Sequence, residues 1–346
     1  MAVEVGVVSQ VGSERAYAAM LAALQRPETY PDRPAAVRCV QTHYSWVFLT
    51  DRYAYKLKKP IRIRGADLRT LSARQAACQT ELTLNRRLAP TTYLDVVPVR
   101  SVGGFASLIG TGRTIDWLVR MRRLPAERMA DQIALRGDLR PADLDRVVAR
   151  LVAFYTSLPS EPGSPREILV ALEARLGEIC DELARPEFGM RREWTERLAI
   201  DLHKAWRAVR PDAAARASAG RVRECHGDLR AEHIYLGETI EVIDALDSEP
   251  ALRVLDPAEE IAMLAVDLEH LGIGWGTGVL RDAYERHSTD RMPDGLWCFY
   301  LGLRALNRAK VALWHLESPK DYPEPEPWRR VARDFGDMAA TWLRRA

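Results

Sequence analysis

Lysine is the scarce residue of this chain. Only six lysines stand against 44 arginines, and three of the six, Lys56, Lys58 and Lys59, fall in one tetrapeptide. A compact ammonium differs from a planar guanidinium in geometry and hydration, so lysine kept at that place points to a specific contact. The plainer reading is a solvated basic strand end. Cysteine is also sparse: Cys39, Cys78, Cys180, Cys225 and Cys298 are odd in number, widely spaced and never C-x-x-C. That pattern indicates neither a disulfide framework nor a zinc site. The net charge is only +2, which gives no bulk electrostatic argument for nucleic acid or an anionic membrane as partner. No apolar run approaches the length of a membrane span, and the first residues lack the basic start and apolar stretch of a secretory signal. No G-x-x-x-x-G-K-[ST] occurs, so the 346 residues contain no P-loop. The expectation is a cytoplasmic protein with neither nucleic acid nor membrane as partner.

Apolar residues make up 47% and charged residues 28%, ordinary for a chain with a sizeable core. The pattern predicts a helix over 12–26 and extended segments over 37–49 and 53–57. A helix over 71–88 follows, capped by Thr70 or Ser72, and then extended segments at 96–100, 105–109 and 115–122. Helices dominate afterwards, at 127–134, 141–157, 165–184, 190–209, 257–271, 278–287 and 294–316. A short extended island lies at 234–236 and 240–243, and residues 322–327 read as a surface loop before a last helix. The expected class is α+β, with a small strand-rich part followed by a larger helical one.

The sharpest local signal is Cys225-His226-Gly227-Asp228-Leu229-Arg230-Ala231-Glu232-His233-Ile234. Phosphoryl transfer to a hydroxyl needs a carboxylate near the incoming oxygen and ligands for the metal that neutralises the phosphates. Asp228, His233 five residues on, and Asp244 after the apolar strand residues 241–243 have that order and spacing. Asp247 is the alternative to Asp244 as metal carboxylate. Asp256 reads as the cap of a helix starting at Pro257, and Glu260 as scaffold. The stripe Tyr300, Arg304, Arg308 and Val311 reads either as an anion contact or as a helix face paired to acidic neighbours such as Asp267 and Glu269.

H-G-D-L-x-x-x-x-I resembles the catalytic loop of the aminoglycoside phosphotransferase and choline kinase superfamily, relatives of protein kinases. Thr42–Leu49, Ala54–Pro60, Glu81–Leu88 and Asp256–Ala262 resemble one bacterial branch of it, sometimes fused to a P-loop kinase domain; the similarity runs from about residue 36 to 316. The resemblance implies a two-lobed, protein-kinase-like fold. Residues 1–35 would be a helical extension, 36–122 the nucleotide-binding lobe, and 123–346 the lobe of the catalytic loop and acceptor. It implies ATP and Mg²⁺ or Mn²⁺ as cofactors and a small-molecule hydroxyl as substrate. Lys56 would contact the α- and β-phosphates, with Glu81 as its ion-pair partner. Ser45, in the hairpin around His43–Trp46, would lie over the phosphates, and Met121 and Arg122 would belong to the hinge that reads adenine. Asp228 would be the catalytic base and Asp244 a metal ligand. Position 233 is His where much of the superfamily has Asn; imidazole is softer than an amide oxygen and better matched to Mn²⁺. His233 would ligate the second metal or only orient Asp228. The alternative function is a nucleotide-binding regulatory protein with a degenerate metal site. A protein Ser/Thr kinase is disfavoured, because no activation segment fits between His233 and Asp244.

Overall fold

The computed structural model describes residues 4–63, 65–160, 163–317 and 322–346. The chain forms two compact units. The first comprises Met1–Ala126 and Glu241–Pro250, the second Glu127–Ile240 and Ala251–Ala346.

In the first unit, helix α1 (Glu4–Leu24) precedes strands β1 (Arg38–Gln41), β2 (Ser45–Leu49) and β3 (Tyr53–Lys58), the short ladder β4 (Arg62–Ile63) and β5 (Ala66–Asp67), and helix α2 (Leu71–Asn85). Strands β6 (Tyr93–Val102), β7 (Phe105–Ser107) and β8 (Arg113–Arg122) complete an antiparallel sheet in the order β1-β2-β3-β8-β6-β7. The extended segment expected over 37–49 is therefore two strands. The chain reverses at 42–44, where the Thr42 hydroxyl accepts from Ser45 N–H at 3.0 Å, and β1 pairs back on β2.

Side chains alternate faces along a strand, and β3 uses both. Tyr55 and Leu57 point into a core with Met20, Leu24, Tyr30, Phe48, Val99 and Leu118. The Tyr30 and Tyr55 ring centroids lie 4.9 Å apart. Ala54 points the other way, into a second cluster with Cys78, Leu82, Val119 and Met121. Lys56 and Lys58 share that second face by period. Helix α2 answers with the buried stripe Arg74, Cys78, Glu81, Leu82 and Asn85, whose spacing is that of one helix face. Its cap is Thr70, whose hydroxyl accepts from Ala73 N–H at 3.2 Å.

The second unit is mainly helical: α3 (Ala130–Leu135), α4 (Pro141–Ser157), α5 (Pro165–Leu183) and α6 (Arg192–Ser218) precede the loop around Asp228. Strands β9 (Arg223–Glu224) and β10 (Ile234–Leu236) flank that loop, and β11 (Ile240–Val242) carries the chain back into the first unit. Strand β12 (Val254–Leu255), which pairs with β9, precedes α7 (Pro257–His270), α8 (Gly276–Ser288), α9 (Asp294–Trp314) and α10 (Pro325–Leu343). Helix α6 continues nine residues past the expected end at 209 and keeps Pro211 inside it. The missing N–H costs helix stability, but Ala213, Arg216 and Ala217 beyond it are buried, and that packing holds the last turns. Residues 325–327, expected as loop, form the first turn of α10, as proline tolerates at a helix start. Among the described residues no helix is long and apolar enough to cross a membrane. The class is α+β, a strand-rich first unit and a mainly helical second one.

Candidate active site

In the first unit the β3 lysines meet one carboxylate. Glu81, fully buried on α2, places Oε1 3.0 Å from Lys56 Nζ and Oε2 2.7 Å from Lys58 Nζ. Each lysine has a second acid from the returning segment: Asp244 Oδ1 lies 2.6 Å from Lys56 Nζ, and Asp247 Oδ2 2.5 Å from Lys58 Nζ. Burial disfavours both ammonium groups, yet their carboxylates outweigh it and hold both pKa values above the ordinary lysine range. Burial likewise works against ionised Glu81, and the two lysines overcome it, leaving that carboxyl below its usual range. For Asp247 burial prevails over the pull of Lys58 and raises the pKa. Lys59 faces the opposite way, over the Trp46 ring at 5.4 Å.

Asp244 has φ +62°, in the left-handed region. Such a conformation in a non-glycine residue persists only where surroundings impose it. Here the Asp244 N–H donates to the Tyr93 hydroxyl at 3.1 Å and the Ala245 N–H to Asn85 Oδ1 at 2.9 Å. At the start of the segment, buried Glu241 accepts from the Thr91 and Thr92 hydroxyls and lies 3.3 Å from Arg122. Its side chain is thereby committed, as is the exposed end of Arg122. Ser45 is buried and sits opposite Lys58 in the β2–β3 register. Met121 is in the core, and its strand is paired on both sides, with Ala54 and with Tyr93. The N–H groups of Arg122 and Arg123 donate to Thr92 O and Arg52 O.

In the second unit the loop around Asp228 is braced from beneath. Gly227 has φ +87°, a conformation glycine adopts without steric cost. Fully buried Glu260 on α7 accepts the His226 and Gly227 N–H groups at 3.2 and 2.6 Å and the Tyr155 hydroxyl at 2.7 Å. Burial raises its pKa although those donors oppose the shift. His226 is buried and its Nδ1 accepts from Asp228 N–H at 3.3 Å, which braces the loop. His233 Nδ1 lies 2.8 Å from the Asp228 carbonyl oxygen; a carbonyl only accepts, so Nδ1 is the donor. An imidazole tied in this way is oriented as metal-bound histidines are. Asp228 itself leaves 39% of its side chain exposed. Asp256 caps α7 by accepting from Ala258 N–H at 3.0 Å.

Asp244, half exposed, and Asp247 offer hard oxygen donors next to cations suited to phosphate. Among the described residues no group of three His, Cys, Asp or Glu side chains is placed to hold a metal. Mg²⁺ asks for less, one or two carboxylates with the remaining positions filled by phosphate and water, and these residues fit it. The role of Glu260 was read only as scaffold. The signal for more was its offset, one turn into a capped helix whose cap directly precedes Pro257.

No protein-family model matches the chain. It is 30% identical over 292 residues to uncharacterized proteins of Mycobacterium tuberculosis and Mycobacterium bovis, an alignment covering 78% of this chain and 53% of theirs. The chain thus spans about half the length of the curated relatives it matches. Among solved structures, a choline kinase from Cryptosporidium parvum superposes with a TM-score of 0.53 at 8% identity, covering 92% of this chain and 91% of that one. A choline/ethanolamine kinase family protein from Mesorhizobium loti gives 0.50 at 14% identity, covering 94% and 98%. A Ralstonia eutropha protein assigned to the aminoglycoside phosphotransferases gives 0.50 at 13% identity, covering 90% and 93%. The chain has the fold of the aminoglycoside phosphotransferase and choline kinase superfamily.

Proposed function

We propose that the chain is an ATP-dependent phosphotransferase that moves the terminal phosphate onto a hydroxyl of a small molecule, with Asp228 as general base. The observation that carries this is Lys56, held between Glu81 at 3.0 Å and Asp244 at 2.6 Å. A lysine fixed by a buried acid presents a pre-oriented positive charge to phosphate oxygens. In this reading Lys56 holds the α- and β-phosphates and Glu81 fixes its direction. Asp244 holds the metal, with Asp247 as the further ligand. Bound Mg²⁺ supplies neutralisation of the charge on the transferring group. Asp228 takes the proton from the acceptor hydroxyl, and the amides held by Glu260 keep its backbone in place. The half-exposed carboxylate is open to an acceptor oxygen. The place of action is the cytoplasm, and the partners are ATP and an aminoglycoside-, sugar- or metabolite-like hydroxyl compound.

The test is ATP turnover by wild type and Asp228→Asn with Mg²⁺ or Mn²⁺. General-base assistance is felt mainly in the transition state, so the variant should lose about two orders of magnitude or more in kcat with little change in nucleotide affinity. Unchanged turnover would remove Asp228 from the chemistry. A second reading, a nucleotide-binding regulatory protein with a degenerate metal site, draws on the imidazole at position 233. Tight nucleotide binding by wild type with no turnover under either metal favours it. In a working enzyme, His233→Asn should lower the ratio of Mn²⁺- to Mg²⁺-supported activity if His233 is a ligand.

A further inference from the structure

Helix α9 carries two arginines four residues apart, and their surroundings differ. Arg304 has a close counter-ion although its Nε, too, is buried without a hydrogen-bond partner: its Nη2 lies 2.6 Å from Glu259 Oε1, a carboxylate that Arg175 also reaches at 3.0 Å. Arg308 has none so close. Its side chain is only 17% exposed, its Nε is buried without a hydrogen-bond partner, and its Nη2 stands 3.7 Å from the Asp267 carboxylate, beyond hydrogen-bond reach. It also stands over the ring of Phe335, 5.3 Å away.

Arg230, two residues after Asp228 on the catalytic loop, is in a similar position. Its Nε is also buried without a partner and also 3.7 Å from Asp267 Oδ1, while its Nη1 pairs with Glu232. The other oxygen of Asp267 is taken by the Ala231 N–H at 2.8 Å. One carboxylate oxygen thus faces two guanidinium groups, each at 3.7 Å. The other acids acting on Arg308 are Asp228 and Glu232, the first being the proposed base and the second already on Arg230. Burial, and after it the neighbouring charge of Arg230, push the Arg308 pKa below the ordinary arginine range.

Guanidinium N–H groups left unpaired in a buried place are costly. Two guanidinium groups that share one carboxylate oxygen are relieved by an anion that accepts from both, the kind of partner arginine favours as carboxylate or phosphate. We propose that Arg230 and Arg308 form an oxyanion-binding site for the acceptor, so that the molecule phosphorylated carries a carboxylate or phosphate group. The inference rests on the phosphotransferase reading and narrows it: a polycationic amino sugar has the wrong sign for this pair.

The test uses the full chain with a non-hydrolysable ATP analogue and a matched series of hydroxyl compounds: glucose, glucosamine, gluconate and glucose 6-phosphate. Calorimetry should show gluconate or glucose 6-phosphate bound more tightly than glucose, and Arg308→Gln should erase that preference, a loss of about ten- to a hundredfold. Arg308→Lys, which keeps charge but not the fork, should fall between. Should the Gln variant not fold, the wild-type preference and the Lys variant decide. The comparison of the two anions separates carboxylate from phosphate recognition. Equal binding of the four compounds, or a preference for glucosamine, overturns the proposal. So does a rise in KM for ATP but not for acceptor in Arg308→Gln, which would assign the site to the nucleotide. Turnover of glucose or glucosamine indifferent to Arg308 also defeats the anion site while leaving the phosphotransferase reading intact. An Arg308-dependent anion preference without any ATP turnover does the reverse.

Discussion

Glu81 gives one oxygen to each of two lysines, and that division makes it the most exposed point of failure in the first unit. Glu81→Gln leaves Lys56 and Lys58 buried with weaker partners, and breaking a buried pair from one side typically costs about 3–5 kcal/mol. The folded-state pKa of Glu81 is depressed, so its stabilisation is present above the ordinary carboxylate value of 4.5 and is lost as pH falls through the lower folded one. The gap in unfolding temperature between wild type and Glu81→Gln should therefore be flat near neutrality and close only below about pH 4.5. A gap that widened on acidification would contradict the network. The Lys56–Glu81 contact was legible only through the family resemblance, which pairs the strand lysine with an acid on the following helix. Lys58 has the same parity as Lys56, yet its share in Glu81 was not read. Nothing in a single sequence says that one acid will serve two bases.

At the scale of elements, strand and helix identity followed from periodicity, while the partners that fix element ends did not. Asp256 was legible as a cap because Pro257 follows it. Its other partner, Arg216, lies forty residues earlier on a helix expected to stop before it. Arg216 reaches Asp256 Oδ2 at 2.5 Å and Asp290 Oδ2 at 2.7 Å, and the hydroxyls of Tyr300 and Tyr284 bond to the same two acids. The end of α6, the start of α7 and the approach to α9 thus converge on one guanidinium. Arg216→Met should lower stability by about 3–5 kcal/mol, read as a fall in the denaturation midpoint. Glu260 lies on α7, so nucleotide-saturated turnover should fall with it. Arg216→Lys should restore only part, since a point charge cannot bond two carboxylates as a fork does. A midpoint unchanged in Arg216→Met would show the network to be stabilising nothing. The reversal at 42–44 was absent from the pattern reading and entered only as the hairpin that the resemblance implies around His43–Trp46: Thr42-His43-Tyr44 carries neither Gly nor Pro, and its turn depends on the Thr42 hydroxyl.

For the whole molecule, the decisive feature is that the first unit is discontinuous. Glu241–Pro250 returns to it after the chain has built much of the second. In the sequence those residues read as the continuation of a hairpin, because local pattern carries no record of which distant acids and hydroxyls they will meet. A fragment ending at Ala126 lacks Asp244 and Asp247, which balance Lys56 and Lys58, and Glu241, which binds Thr91 and Thr92. It should be cleaved by protease far faster than the same sheet in the intact chain. Supplying 241–250 through a flexible linker should recover much of the protection. Equal protection of fragment and intact chain would show the return to be dispensable.

That return also sets a clock on biosynthesis. The 114 residues from Glu127 to Ile240 must leave the ribosome before the acids of 241–250 arrive. At roughly 5–20 residues per second this interval lasts about 6 to 23 s. During it the nascent sheet holds two lysines against a single glutamate, and the faces meant for Asp244 and Asp247 stand open. A polyanion or chaperone present in those seconds would meet the two lysines before their second acids arrive.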